Sequence, residues 1–263
     1  NRMLVCTFTR TAARDLRSEL IRLGIPGIDR VIAGTIHAFC FGLLSRDDVL
    51  MLTHRNPRQL LKFEERFLLE DMQGDNFGGI RARDRRLQAF NAAWARLQSD
   101  QPGWPNNPVD RRFHTALIGW LRFHEAMLVG ELVPETLRYL RENPASPARN
   151  AFDHVLVDEY QDLNRAEQEL LDLLAGGGTL SIIGDEDQSI YAFKHAHPEG
   201  ISTFDFTHTG THDIDLDECR RCPRSVITMA NTLIENNSRR ASRSLRPLAE
   251  NPEGEVYVLQ WQS

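Results

Sequence analysis

Two clusters of carboxylates, each followed by a glutamine, are the residues here whose types and spacing suit chemistry. They are Asp158-Glu159-Tyr160-Gln161-Asp162 and Asp185-Glu186-Asp187-Gln188. In such a pair one carboxylate can hold a hydrated Mg²⁺ while another takes the proton of an attacking water. The same acids could assemble a two-metal nuclease centre, or could simply cap a following helix. Cys219-x-x-Cys222 is a different candidate, but it lacks a second pair at zinc spacing and has Arg220 and Arg221 between its thiols.

The first cluster needs a strand to carry it. Val155 to Val157 is a short apolar run ahead of Asp158, as expected of a strand buried on both faces of a parallel sheet. Ligand sites in open α/β sheets lie beyond the carboxyl ends of such strands, so Asp158 and Glu159 stand where a metal-nucleotide would bind. Asn164 and Glu167 then read as a capping box, with Leu170, Leu171 and Leu174 on one helix face. Thr179 to Gly184 reads as a second buried strand, leading into the second cluster. Gly176-Gly177-Gly178, a flexible turn with no helix behind it, makes a poor phosphate cradle.

Upstream, Met3 to Thr9 reads as a buried strand and Thr11 to Leu23 as a helix with Ala12, Ala13, Leu16 and Leu20 on one face. Val31 to Ile36 reads as a strand and His37 to Leu44 as a short helix. From Arg46 to Asn150 four stretches show helical spacing, Leu60–Asp71, Arg83–Gln98, Val109–Val129 and Glu135–Glu142, with loop signals at Gly74, Gly78-Gly79 and Pro102 to Pro108 between them, which predicts a helical insertion. Arg81, Arg83, Arg85, Arg86, Arg111 and Arg112 there suit either a phosphate backbone or a solvated helix face. Downstream, Ile214–Leu216 reads as a short strand and Pro223 opens a helix whose face carries Val226, Ile227, Ala230, Leu233 and Ile234. Ser238–Pro247 is an arginine-rich linker, and Glu255–Trp261 reads as a further strand.

The 26% charged and 41% apolar residues are those of an ordinary globular chain, with no apolar run of membrane-spanning length and no secretory pattern. Four scattered cysteines make no disulfide framework, which points to a reducing, cytoplasmic setting. A net charge of −6 gives no global field for nucleic acid, leaving only a local basic groove possible. The only lysines are Lys62 and Lys194.

The ordered segments together resemble the first motor domain of UvrD/Rep-type superfamily 1 DNA helicases. Thr7-Phe8-Thr9-Arg10-Thr11-Ala12-Ala13 resembles motif Ia, and Gly34-Thr35-Ile36-His37-Ala38-Phe39-Cys40 resembles motif Ib. Val157 to Asn164 resembles motif II, Gly184 to Tyr191 motif III, and Leu216 to Arg221 with Ala230 to Ile234 motif IV. They follow family order across nearly the whole chain.

The resemblance implies a RecA-like, P-loop NTPase α/β domain with a parallel sheet and an all-helical insertion. It divides the chain into a discontinuous ATPase domain (1–45 and 151–252), an insertion (46–150) and the start of a second motor domain (253–263). It implies ATP and Mg²⁺ as cofactors and single-stranded DNA, or a duplex with a single-stranded tail, as partner. No membrane role follows, and the cellular setting is that of a nucleoid-associated bacterial enzyme of DNA repair. Asp158 would hold Mg²⁺ through water, with Gln161 and Asp185 also at the nucleotide. Glu159 would be the general base, Gln188 the γ-phosphate sensor and Arg221 a transition-state charge stabiliser. Phe8, Tyr191 and Phe193 would stack on bases, with Thr9, Thr35 and His37 contacting the strand.

Plain readings stand beside these: core packing for Phe8, a buried satisfied histidine for His37, and a salt bridge from Arg221 to Asp217 or Glu218. The chain also departs from the family. Arg10-Thr11 replaces Asn-Lys, Phe193-Lys194-His195 replaces Trp-Arg-Gly, and Cys219-Arg220 replaces Asn-Tyr. The late Asp-Phe of the insertion is missing, near Val129-Gly130-Glu131, and no G-x-x-x-x-G-K-[ST] occurs. The expectation is therefore a helicase fragment that is inactive alone, moving 3′ to 5′ within its parent enzyme. A catalytically silent nucleic-acid-binding module and a metal-dependent nuclease are the alternatives.

Overall fold

The computed structural model describes residues 2–24, 26–74, 76–191, 195–237 and 244–261. They form two units, one of residues 1–185 with 189–200 and the other of residues 186–188 with 201–263.

The first unit is built on four parallel strands in the order β2-β1-β3-β4. These are β1 (Met3–Cys6), β2 (Val31–Gly34), β3 (His154–Val157) and β4 (Thr179–Ile182). Strand β1 lies between β2 and β3, with Cys6 opposite both Gly34 and Val157. Val155 and Val157 are fully buried on one face of β3, while His154 and Leu156 are half-buried on the other. Strand β4 departs from the expected buried strand: Thr179 and Ser181 are exposed and Leu180 and Ile182 only half-buried. It is an edge strand, paired on the β3 side alone among the described residues.

Helices connect the strands. After β1 comes α1 (Arg10–Arg22), whose N-cap Thr9 accepts from the Ala12 amide at 3.1 Å. Only Ala13 of its expected apolar face is buried; Leu16 and Leu20 are half-buried and Ala12 is exposed. After β2, Thr35 caps α2 (Ile36–Leu44) through the Ala38 amide at 3.2 Å. After β3, the capping box is present. Asn164 Oδ1 accepts from the Glu167 amide at 3.0 Å, and Glu167 Oε2 from the Asn164 amide at 2.8 Å, opening α8 (Arg165–Ala175).

The turn after α8 is tightly packed where a flexible one was expected. Gly176 closes the helix at φ 50°, and a Cβ on Gly178 would lie 2.5 Å from the Asp153 carbonyl oxygen.

Between α2 and β3 the described chain is helical: α3 (Asp47–Thr53), α4 (Lys62–Asp71), α5 (Ile80–Ala95), α6 (Pro108–Phe123) and α7 (Leu132–Glu142). The sequence reading missed α3, whose acidic first turn, Asp47 and Asp48, was its signal. It also began α7 late; Pro134 is tolerated there because it falls in the first turn. Phe90, Phe113, Leu117 and Leu121 centre the hydrophobic core of this part.

Arg83 and Arg86 are engaged by protein groups. Arg83 donates to the carbonyls of Leu69, Glu70 and Gly78, and Arg86 pairs with Asp110 at 2.8 Å. Glu131, where the family's Asp-Phe is missing, forms a buried ion pair with Arg55 at 2.9 Å.

The second unit includes α10 (Phe204–Thr207) and α11 (Arg224–Ile234), after the single turn α9 (Glu199–Ser202). Its two-stranded parallel sheet pairs β5 (Glu218–Cys219) with β6 (Arg246–Pro247). Ile214–Leu216 is exposed coil and the strand begins two residues later. Of the expected α11 face only Ile227 is buried, with Val226 and Leu233 exposed. Residues 255–261 are exposed coil with no strand partner among the described residues.

Candidate active site and nucleic-acid interface

Strand β3 delivers Asp158 and Glu159 at its carboxyl end, where both are exposed. The Asp158 amide donates to the Cys6 carbonyl at 3.0 Å, and the Tyr160 amide to the Ile183 carbonyl at 3.0 Å, tying the acidic turn to β1 and to the end of β4. Glu159 takes the left-handed conformation (φ 57°, ψ 42°), uncommon for a residue with a side chain. Asp158 Oδ1 accepts from the Glu159 amide at 3.1 Å. Partial burial, and then the Glu159 charge, raise the Asp158 pKa above the ordinary aspartate value.

Gln161 binds the two clusters to each other. It is 1% exposed; its Nε2 donates to Glu159 Oε2 at 2.7 Å, and its Oε1 accepts from the Asp185 amide at 3.0 Å. Both ends of the amide are thus engaged by protein groups. Gln188, in the 3-10 turn Glu186–Gln188, and Arg221 belong to the second unit, where both are exposed. Of the acids proposed to hold Arg221, Asp217 pairs instead with Arg246, at 2.5 Å.

Among the residues expected at the strand, Phe8 and Tyr191 come together, both half-buried, with ring centroids 5.0 Å apart and planes tilted by 37°. Phe193 and Lys194 lie outside the described residues. His195 has φ 65°, in the left-handed region, where the family carries glycine.

Thr35 and half-buried His37 line a cleft of about 700 Å³ with Arg10, Arg14 and Arg17 of α1. The hydroxyl oxygens of Thr9 and Thr35 serve as helix caps, which leaves each hydroxyl hydrogen able to donate outward. Sequence reasoning missed Arg14 and Arg17, although Arg10, Arg14 and Arg17 stand at helical spacing for one face. Arg58 also lines the cleft, but its guanidinium is taken up by Glu64 and the carbonyls of His124 and Glu125.

Behind the cleft, His37 Nδ1 lies 3.4 Å from Glu167 Oε1. Burial lowers the His37 pKa, pushes Glu167 up to about 7, and pushes the neighbouring Cys6 and Cys40 thiols up to about 12.

The family described as the UvrD/REP helicase N-terminal domain matches residues 1–209. The chain belongs to this family. UvrD/REP relatives include the ATP-dependent DNA helicase PcrA of Staphylococcus aureus (strain Mu50), 26% identical over 260 residues that cover 92% of this chain and 35% of that protein. PcrA of Staphylococcus epidermidis (strain ATCC 35984) is likewise 26% identical over 260 residues. The chain spans about a third of the length of these relatives. Its parallel α/β sheet with many helices is the RecA-like arrangement that the UvrD/REP resemblance implied.

Proposed function

We propose that this chain is the part of an ATP-dependent DNA helicase that activates water against ATP and grips single-stranded DNA, with 3′ to 5′ movement. The observation that carries the reading is the Glu159-Gln161-Asp185 brace at the carboxyl end of β3, in a chain of the UvrD/REP family. A hydrated Mg²⁺ fits the donor set. Asp158 and Glu159 supply hard carboxylate oxygens at the end of β3, which suit an ion that keeps waters and takes phosphate oxygens. Bound there, the ion would be held through water by Asp158 and would supply charge to offset that developing on the phosphates.

The chain's own residues do the rest. Asp158 holds the hydrated ion, and Glu159 accepts the proton of the attacking water. Gln161, first expected at the nucleotide itself, acts by fixing the Glu159 carboxylate and the Asp185 backbone. Gln188 and Arg221 sense and stabilise the γ-phosphate. Phe8 and Tyr191 offer ring faces to bases, which need no sequence readout. Arg10, Arg14 and Arg17 offer charge to the phosphate backbone beside Thr35 and His37.

The test is Glu159→Gln in this chain joined to a phosphate-loop segment and a second motor domain. The variant keeps shape and hydrogen bonding but loses the base, so it binds ATP and does not turn it over. Near-normal hydrolysis removes Glu159 from this role. The 263 residues alone, which contain no G-x-x-x-x-G-K-[ST], are expected to show no DNA-stimulated ATPase activity.

A further inference from the structure

His37 is the second residue of α2, and it lines the cleft together with Thr35, Arg10, Arg14 and Arg17. Its Nδ1 lies 3.4 Å from Glu167 Oε1. Glu167 is buried, and its other oxygen, Oε2, is committed to the capping box, where it accepts from the Asn164 amide at 2.8 Å. The next residue, Gln168, donates to the His197 carbonyl at 2.9 Å, while the His197 amide donates to the Leu163 carbonyl at 2.8 Å. The first turn of α8 is thereby tied down on either side of Glu167. One carboxyl oxygen is held in place against the imidazole.

We propose that Glu167 is a positioning residue for the cleft: by holding His37 at Nδ1 it makes Nε2 the nitrogen that donates to a phosphate oxygen of the bound strand. This role rests on the reading of the cleft as a single-strand site.

The place of one proton decides whether Nε2 can donate. With Glu167 ionised and the imidazole neutral, the ring hydrogen belongs on Nδ1, facing the carboxylate. Nε2 then carries a bare lone pair, which repels phosphate. Adding one proton reverses this. It can sit on the carboxyl, which then donates to Nδ1, or on the ring itself, and in both cases Nε2 bears a hydrogen. Burial places the Glu167 pKa at about 7, so the change falls near neutrality. The other groups around the pair are engaged elsewhere or hold one charge state there. Cys6 of β1 and Cys40 of α2 are kept as neutral thiols, because burial raises both to about 12. Helix α7 packs against both α2 and α8, but its Glu135 and Glu142 pair with Arg138, and its Arg141 pairs with Asp100 and Glu169. His154 of β3 is 2.7 Å from the Thr179 hydroxyl. Arg10, Arg14 and Arg17 of α1 keep their charge throughout.

The test uses the native chain and the variants Glu167→Gln, His37→Ala and Arg14→Ala, each checked for folding by circular dichroism. In Glu167→Gln the amide oxygen takes over the cap at Asn164, which turns the NH2 group towards Nδ1 and fixes the neutral ring with its hydrogen on Nε2. Nitrogen-15 NMR of histidine-labelled protein without DNA, with His37 assigned by its loss in His37→Ala, reads the ring directly. From pH 6 to 8.5 the wild-type ring should pass from a form protonated at Nε2 to the Nδ1–H tautomer, whereas Glu167→Gln should stay protonated at Nε2. Fluorescence anisotropy with an oligo-dT strand should show wild-type affinity falling roughly ten-fold over the same range, as one hydrogen bond to a charged group is lost. Glu167→Gln should bind with a flat pH profile and more tightly than wild type at pH 8.5; His37→Ala should bind weakly and with a flat profile. A wild-type ring that keeps one tautomer throughout overturns the role of Glu167, as do parallel binding curves for wild type and Glu167→Gln. If Arg14→Ala weakens binding while those curves stay parallel, the cleft is a strand site and only the role of Glu167 falls. If the native chain does not bind the strand at pH 6, or if neither His37→Ala nor Arg14→Ala weakens binding, the reading of the cleft falls with it.

Discussion

Replacing Glu167 by glutamine isolates one buried charge. Glu167 is the third residue of α8, with Oε2 accepting from the Asn164 amide and Oε1 facing His37 at 3.4 Å. Burial moves its pKa from 4.5 to about 7. The folded state therefore holds this proton more tightly than the unfolded chain does. The stabilisation is complete below about pH 4.5, declines as pH rises, and is lost above about pH 7. A displacement of that size is worth at most about 3 kcal/mol. Glutamine preserves the capping box, because its side-chain oxygen can accept from the Asn164 amide, but it does not titrate. His37, which burial pushes in the opposite sense, is present in both proteins, as are Cys6 and Cys40. Thermal melts followed by circular dichroism at pH 5, 6, 7 and 8 provide the assay. Between pH 5 and 8 the wild type should lose roughly 2–3 kcal/mol more than the variant. In melting temperature that is on the order of 5–10 °C. Parallel pH curves for the two proteins would refute the reasoning, and so would a variant weaker than wild type at pH 8.

Other perturbations test other contacts. With the phosphate loop and second motor domain joined on, Gln161→Met should lower kcat by about 100-fold through a loosened Glu159, with KM for ATP little changed; unchanged kcat makes the brace idle. Phe8→Ala and Tyr191→Ala should each weaken single-strand binding by roughly 1–3 kcal/mol with little base preference, measured by fluorescence anisotropy. Unchanged binding with a collapsed melting temperature would make both rings core residues. Arg55→Met leaves Glu131 buried without its cation and should cost about 3–5 kcal/mol in urea unfolding at neutral pH. The deficit should shrink in acid, because burial already raises the Glu131 pKa and protonation relieves it; a loss independent of pH would point to packing instead.

The elements tied to local signals were legible in the sequence. The apolar run into Asp158-Glu159, the Asn164–Glu167 box and the helical spacing of residues 46–150 all led to the right kind of structure. What failed depended on neighbours that are distant in sequence. Thr179–Ile182 has strand composition, but whether it is buried depends on its place at the sheet edge. Residues 214–216 and 255–261 have strand composition too, yet they find no partner among the described residues. The hydrogen bonds of Gln161 were hidden for the same reason: its two partners are Glu159 beside it and Asp185 on the next cluster, which meet only once β3 and β4 pair. The arginine face of α1 was visible in the spacing, but only the cleft beside it gave that face a meaning.

The sheet's strand order bears on how the chain acquires its structure during synthesis. Strand β1 sits between β2 and β3, yet the Arg2 amide and the Asp153 carboxylate that meet beside it are separated by 151 positions. At translation speeds of roughly 5–20 residues per second, β1 and β2 wait some seconds for their third strand to emerge. The helices between them rely mostly on nearby contacts, so they can collapse around Phe113 and Leu117 in the interval. Closing the sheet is then a late, long-range step whose loop entropy a folded insertion has already reduced. Mutations in the helical core should therefore slow the appearance of the Asp158-Glu159 turn, although they touch neither residue.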